Sequence, residues 1–398
     1  MRISCVPYNP RMASTGTGYA PPPPSGERKR GQVRNYWTRV TEGLAIDQLW
    51  GQMKADARST YSFYARDVDW QAMSTDRSWK RPFRIAWALF QAMLMKLTPA
   101  RRVLLLIACV LLIIHPNFQL RNGTEVSFDL GGVGAAILFL LLALELADRV
   151  TMKRDLEIAR EIQHWLVPEH PPVVPGVDLA FATRPQNTVA GDYYDAFLRA
   201  GPEGHAGQTL LLVVADVAGK SVPAALLMAT FQASIRALAA RPGNLDELAS
   251  GLNRYACDYS LSGMRFTTAF IAEYDASSKR IGYINAGHNA PFLRRASGAI
   301  VRLGEGTVPF GIDAAAEYHA ATVAVEPGDV LVIFTDGLPE AVDNAGYEYG
   351  EVRVQNRVEH FTNESAAAML AAIMADVDQY VGPARQHDDI TCMVARFL

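Results

Sequence analysis

Cysteine is scarce and unpaired in this chain: Cys5, Cys109, Cys257 and Cys392 are the only four in 398 residues, and they share no short spacing. That excludes a disulfide framework and a cysteine-based zinc site, and it fits free thiols in a reducing cytoplasm. An excess of one charge is also missing. Lys and Arg number 38 against 41 Asp and Glu, a formal net charge of -3. There is no global case for nucleic-acid binding, and no basic patch interleaved with aromatics beyond the Arg28 region. No internal repeat is present, no signal peptide is legible at the N terminus, and no apolar run reaches the roughly 20 residues that span a bilayer comfortably.

What the chain has instead is a set of four short acidic motifs, each placed where a hydrophobic run ends. They are Gly191-Asp192-Tyr193-Tyr194-Asp195, Asp216-Val217-Ala218-Gly219, Thr335-Asp336-Gly337 and Asp388-Asp389. The apolar run Leu210 to Ala215 predicts a buried strand that delivers Asp216 to its end, and Gly219 then turns the chain into a helical stretch from Val222 to Leu238. Asp336 closes the run Val330 to Phe334, and Asp388-Asp389 precede the apolar strand Ile390 to Val394. A lone Asp-Gly is an ordinary turn signal. Four such motifs in one domain, each mounted on a rigid strand end, read instead as a carboxylate cage for two hard metal ions. Hydrolysis of a phosphate ester near neutral pH needs a dianion neutralised and hydroxide made from water, and divalent ions held by oxygen ligands do both. With no comparable His/Cys ligand set, the metal is Mg or Mn before Zn.

Further motifs accompany these four in order: Leu156-Glu157-Ile158-Ala159-Arg160-Glu161-Ile162-Gln163, Pro223-Ala224-Ala225, Asn285-Ala286-Gly287-His288-Asn289, Pro327-Gly328-Asp329 and Asp388-Asp389-Ile390-Thr391. From about Leu156 to Leu398 the chain resembles a bacterial PPM-type serine/threonine phosphatase of the SpoIIE branch, the type-2C-like enzymes that act on phosphorylated anti-sigma-factor antagonists. The resemblance implies that Asp216 is the carboxylate shared by two Mn2+ or Mg2+ ions, with the Val217 carbonyl oxygen as a further ligand. Asp336 and Asp388 would hold one metal, and Asp192 would contact the other or its waters. Asp195 and Asp389 would orient those ligands from behind. The mechanism implied is in-line attack on phosphorus by a water or hydroxide bridging the metals, with no phosphoenzyme.

One position departs from the family pattern, because Gly219-Lys220-Ser221 puts serine where a second glycine is usual. If a positive φ is needed there, serine strains the turn by roughly 1 kcal/mol or more. The preferred reading makes Ser221 the cap of the following helix, with Pro223 in its first turn. His288 reads as structural, its ring satisfying backbone groups of a polar turn, and His387 is the better placed of the two for protonating a leaving group. Lys220 could attract a phosphoprotein, although one surface lysine usually does nothing measurable.

The expected fold is α+β: an antiparallel β-sandwich flanked by helices, with the metals at one end, over residues 168–398. Strands are expected around Asp178 to Thr183, Gln208 to Ala215, Thr267 to Tyr274, Arg280 to Asn285, Ala320 to Val325, Val330 to Phe334 and Ile390 to Phe397, and helices over Val222 to Leu238, Leu245 to Tyr259 and Ser365 to Val381. Upstream, residues 1–31 read as a disordered tail rich in Ser, Gly and Pro, and 32–100 as a polar, partly helical segment. Residues 101–147 read as a membrane hairpin of two short apolar helices and 148–167 as a continuous linker helix. Basic residues flank both outer ends of the hairpin, which orients both ends and the phosphatase domain to the cytoplasm at the inner membrane. A soluble helical hairpin is the alternative. On the linker, Ile158, Ile162 and Trp165 lie at i, i+4 and i+7, so one face can pair with a second copy in a homodimer or pack within the chain.

Two functions follow from different classes. One is a metal-dependent phosphatase acting on a phosphorylated regulatory protein of the anti-sigma-factor-antagonist type; the other is a membrane-tethered module that binds a phosphoprotein without turnover. Retention of all four acidic motifs favours the enzyme, since an empty charge cage would repel a phosphorylated ligand.

Overall fold

The computed structural model describes residues 81–113, 117–119, 125–127, 130–201, 207–259 and 265–398. The tail expected over 1–31 and the polar stretch 32–80 lie outside these residues. The chain divides into two compact units, 1–144 and 145–398.

In the first unit, helix α1 (Arg81–Lys96) is followed by α2 (Pro99–Ile113), the short antiparallel pair β1 (Asn117–Gln119) and β2 (Glu125–Ser127), and the start of a long helix, α3 (Leu130–Leu166). The Arg102 guanidinium reaches back to donate to the Leu97 carbonyl at 2.7 Å, satisfying a group just past the end of α1. α2 and α3 touch where side chains are smallest. Ala108 is fully buried, and a Cβ on Gly134 would lie 2.9 Å from the Ala108 carbonyl oxygen. Around that contact the apolar side chains of Val103, Ile107, Val110, Phe139, Leu140 and Leu142 are exposed. α3 has an 18-residue window of mean hydropathy 2.3 and is long and apolar enough to cross a membrane, whereas α2, with 15 residues, spans only about 22 Å. Among the described residues the other helix long and apolar enough to cross a membrane, Val222–Ala239, buries Met228, Phe231 and Ile235 in the second unit.

In the second unit α3 runs on without interruption to Leu166, two residues before Pro168. Two sheets follow. The first has the order β10 (Gly306–Thr307), β7 (Arg280–Ala286), β6 (Thr267–Asp275), β5 (Gln208–Val217), β4 (Tyr193–Ala200), with β11 (Ala321–Ala324) also on β7. The second has the order β3 (Val177–Arg184), β13 (Ile390–Phe397), β12 (Val330–Phe334), β8 (Phe292–Arg294), β9 (Ile300–Arg302). All pairs are antiparallel except the two-residue β10 against β7.

Alternation along the strands sends one set of side chains between the sheets and the other outward. Leu210, Leu212 and Val214 of β5 meet Leu331, Ile333 and Met393 in the central core. The opposite face of β5, Leu211, Val213 and Ala215, is covered by α4 (Val222–Ala239) and α5 (Leu245–Asp258). The outer face of β12 and β13 is covered by α6 (Glu351–Glu359) and α7 (Ala366–Val381). The result is helices on both faces of a two-sheet sandwich. α5 and α7 begin on capping side chains: Asn244 accepts from the Glu247 amide at 2.8 Å and Ser365 from the Ala368 amide at 3.2 Å.

Candidate active site

The strand register decides where the acidic residues go. Asp192 immediately precedes β4, and Asp216 is the penultimate residue of β5; Tyr193 pairs with Ala215, so these two ends coincide in the first sheet. In the second sheet Phe334 pairs with Cys392, which puts Asp336, just past β12, beside Asp388 and Asp389, just before β13. A buried hydrogen bond joins the two halves: Thr335 Oγ1 donates to Asp192 Oδ2 at 2.9 Å, while the same Oγ1 accepts from the Thr391 amide at 3.0 Å. All four acidic motifs thus meet at one end of the sandwich.

Asp389 acts on backbone. Its Oδ1 accepts from the Gln186 amide and its Oδ2 from the Gly191 amide, both at 2.6 Å, which fixes the connection between β3 and β4 that carries Asp192. Gly191 lies against the end of β5. A Cβ there would be 3.3 Å from the Val217 carbonyl oxygen and 3.7 Å from Asp216 Oδ1, so the Val217 carbonyl belongs to the same cluster.

The carboxyl groups repel one another in partial burial. Asp216 is raised to about 7, first by burial and then by Asp336, Asp388 and Asp389. Burial and the Asp216 charge push Asp192 well above the carboxylate range against the hydrogen bonds from Thr391 and Thr335. Asp336 is raised by burial and by Asp388, and Asp389 is raised mainly by burial, opposed by the Gln186 and Gly191 amides. A cation faces the cluster: Lys220 Nζ is 2.9 Å from Asp388 Oδ2 and 2.9 Å from the His387 carbonyl oxygen. Among the described residues, no three acidic, His or Cys groups stand close enough together to grip a metal ion as they are.

Several expectations are corrected. Asp195 does not orient the site. It is fully buried and faces α4, where the Arg236 guanidinium donates to both its oxygens at 2.6 and 2.7 Å and Tyr193 Oη donates at 2.5 Å. Ser221 is not a cap: its φ is 63° and ψ -145°, its side chain makes no capping bond, and the strain reading holds at that position. The His288 ring does not serve the turn's backbone. Its Nδ1 lies 3.3 Å from Thr268 Oγ1, and its buried Nε2 has no hydrogen-bond partner, although the Phe334 backbone is near enough to oppose burial slightly. Burial lowers its pKa to about 4. His387 is exposed at the rim.

Sequence reasoning quoted Thr335, Thr391 and Gln163 within motifs but gave them no role. It missed Glu340, whose pKa is raised by burial and by Asp336, and whose spacing of four residues after Asp336 was the available signal.

Residues 206–398 match the family described as Stage II sporulation protein E (SpoIIE). The chain is 26% identical over 279 residues to Protein IcfG of Synechocystis sp., covering 63% of this chain and 42% of that protein. It is 26% identical over 246 residues to Phosphoserine phosphatase RsbU of Bacillus subtilis, covering 62% of this chain and 70% of RsbU. The chain therefore spans less than half of the length of IcfG. The solved SiaA-PP2C domain of Pseudomonas aeruginosa superposes with a TM-score of 0.53 at 21% identity, over 63% of this chain and 99% of that domain, and it shares the fold. Over residues 206–398 the two-sheet unit built around Asp216 accordingly matches the SpoIIE family, and it shares the fold of a PP2C domain.

Proposed function

We propose that this protein is a metal-dependent serine/threonine phosphatase that hydrolyses phosphoserine or phosphothreonine on a regulatory protein of the anti-sigma-factor-antagonist type, by in-line attack of water. The observation that carries this reading is the meeting of Asp192, Asp216, Asp336 and Asp388 at one sandwich end, with Asp216 raised to about 7 by burial and neighbouring carboxyls. Carboxylates crowded in this way gain from a bound cation. The donor set is oxygen only, which suits two Mn2+ or Mg2+ ions over softer metals. In this reading Asp216 would serve both ions, with the Val217 carbonyl as a further ligand, while Asp336 and Asp388 would hold one ion and Asp192 would reach the other or its waters. Such ions, when bound, supply Lewis acidity to the phosphoryl group and lower the pKa of water.

The chain's own part is to hold these groups. Thr335 and Thr391 fix Asp192, and Asp389 fixes the segment that carries it. Asp388 must exchange Lys220 for a cation, a rotation open to it because its side chain is 38% exposed and that of Lys220 56%. His288, neutral above about pH 4, is not an imidazolium acid at neutral pH.

The similarity to RsbU of Bacillus subtilis, a phosphoserine phosphatase, supports the substrate chemistry. The bare apolar surface of α2 and of the first half of α3 supports a tether through 101–147 to the inner membrane, with the phosphatase domain in the cytoplasm. Ile158, Ile162 and Trp165, exposed at 47, 49 and 79%, offer a stripe for pairing with a second copy.

The test is phosphate release from a phosphoserine-bearing antagonist protein by the purified chain, with Mn2+, with Mg2+ and with chelator. Release that needs the metal and disappears in Asp216→Asn and Asp336→Asn is expected. Tight binding of the phosphoprotein with no release under any metal would make the domain a non-catalytic binding module instead.

A further inference from the structure

The end of α3 meets the phosphatase unit through one side chain that behaves like a piece of backbone. Gln163 Nε2 donates to the Ala190 carbonyl at 2.7 Å, and Gln163 Oε1 accepts from the Ala190 amide at 2.9 Å. A single carboxamide thereby satisfies both main-chain groups of a buried residue, as a neighbouring strand would. The two residues that follow are each held by a different partner: Gly191 by Asp389 and Asp192 by Thr335.

These bonds act together with packing, since Gly191 lies against Ala224 and the Val217 carbonyl. A cavity of about 230 Å³ opens beside the segment, lined by Arg160, Gln163, His164, Thr188, Ala190 and Asp192 among others. On the same stretch of helix, Ile162 and Trp165 point to solvent.

We propose that Gln163 is a positioning residue for the acidic site: its carboxamide stands in for a strand partner of Ala190 and fixes the Ala190-Gly191-Asp192 segment, so that the Asp192 carboxyl is presented to Asp216. The consequence for metal affinity rests on the phosphatase reading above; the consequence for the segment does not. Removing the amide while keeping side-chain length frees both Ala190 groups to water in the adjoining cavity, and Asp192 then samples positions away from the cluster.

The experiment uses the full-length protein as wild type, Gln163→Met, Gln163→Ala and, as a control on the same helical turn, the exposed Glu161→Gln. Hydrogen exchange of metal-free protein is followed over the peptide spanning 186–192, with β6 as an internal reference for global unfolding. Mn2+ binding is titrated calorimetrically, and turnover of a phosphoserine peptide is measured against Mn2+ concentration. In Gln163→Met, exchange at Ala190 and Gly191 should rise roughly tenfold with β6 unchanged, the effect of losing one or two net hydrogen bonds. The Mn2+ needed for half-maximal turnover should rise by about tenfold or more while the rate at saturating Mn2+ largely recovers, as expected for a group that orients a ligand. Glu161→Gln should match wild type throughout. Unchanged exchange over 186–192 in Gln163→Met overturns the proposal, and so does faster exchange with unaltered Mn2+ binding. Should wild type bind no Mn2+ and release no phosphate, the phosphatase reading falls, and the exchange contrast alone then supports or overturns the placement by Gln163.

Discussion

Thr335 Oγ1 and Asp192 Oδ2 are joined at 2.9 Å across the two sheets of the sandwich, and the same hydroxyl oxygen receives the Thr391 amide. One side chain thus closes the site end and partly solvates a buried acid. Thr335→Val keeps the shape and removes the hydroxyl, leaving Asp192 and the Thr391 amide each short of a partner, at a cost of about 1–3 kcal/mol. Thr335→Ser should retain most of the stability. Urea denaturation of the three proteins in chelator checks this, and equal midpoints for Thr335→Val and wild type would mean that the bond contributes nothing.

Asp216 gives the site a pH signature that can be isolated. Burial and the three neighbouring acids raise it from 3.8 to about 7 in the folded state. A carboxyl raised in this way contributes its full stability below its unfolded value and loses it as pH rises through its folded value. Metal-free wild type should therefore fall in melting temperature relative to Asp216→Asn between about pH 4 and pH 7. The depressed His288 works in the opposite sense, its contribution being present above its ordinary 6.5 and lost as pH falls through about 4, but it is common to both proteins and cancels. Added Mn2+ should restore wild type near neutrality and leave Asp216→Asn unchanged. Melting curves that run parallel across this range would show that the acids do not share a field.

Ser221 carries a backbone conformation that suits glycine, with φ 63° and ψ -145° and no compensating side-chain bond. Such a conformation costs a non-glycine residue roughly 1–3 kcal/mol. Ser221→Gly should raise the melting temperature by about 2–4 °C per kcal/mol relieved, while Ser221→Ala, equally strained and losing no bond, should change little. A stabilising Ser221→Ala would mean that the hydroxyl, and not the backbone, is the source of the cost.

The fold was legible where single runs carry it. β5, β12 and β13 each hold an apolar run, Leu210 to Ala215, Val330 to Phe334 and Cys392 to Ala395, with an acid close to one end, and the register of antiparallel neighbours then forces those ends together. β4 was not legible as a strand, because Asp195 and Arg199 interrupt it. Their partners, Arg236 and Glu273, lie 41 and 74 residues away, so nothing local announces that these charges are neutralised inside the domain. For the same reason Asp195 read as part of the site although it faces α4. α6 is nine mostly polar residues whose pattern is too short to separate from a loop. Ser221 shows a different limit. A serine before a helix is a cap by type, and only the dihedral angles tell that the chain arrives in a conformation from which its hydroxyl cannot serve the helix. The roles given to individual acids as metal ligands came from family resemblance; what strand ends alone supply is their convergence.

Gly337 follows Asp336 in the tightest spot of the site. A Cβ there would stand 1.9 Å from the Asp389 carbonyl oxygen and 3.3 Å from Asp388 Cβ. The nearest obstacle is main chain at the start of β13, which no rotamer change can move. Gly337→Ala must therefore displace the backbone that presents Asp388 and Asp389, and with it the grip of Asp389 on the Gln186 and Gly191 amides. Overpacking of this kind costs about 1–3 kcal/mol; the larger effect should be on chemistry, since a 1 Å misplacement costs on the order of 100-fold in rate. Gly346→Ala is the control: its φ is 86° and a Cβ there meets nothing within 4 Å, so it should lose about 1 kcal/mol from backbone strain and keep its turnover. Phosphate release by the two variants at saturating Mn2+, set beside their denaturation midpoints, separates the effects. Wild-type turnover in Gly337→Ala would show that the position of Asp388 and Asp389 does not matter to the reaction.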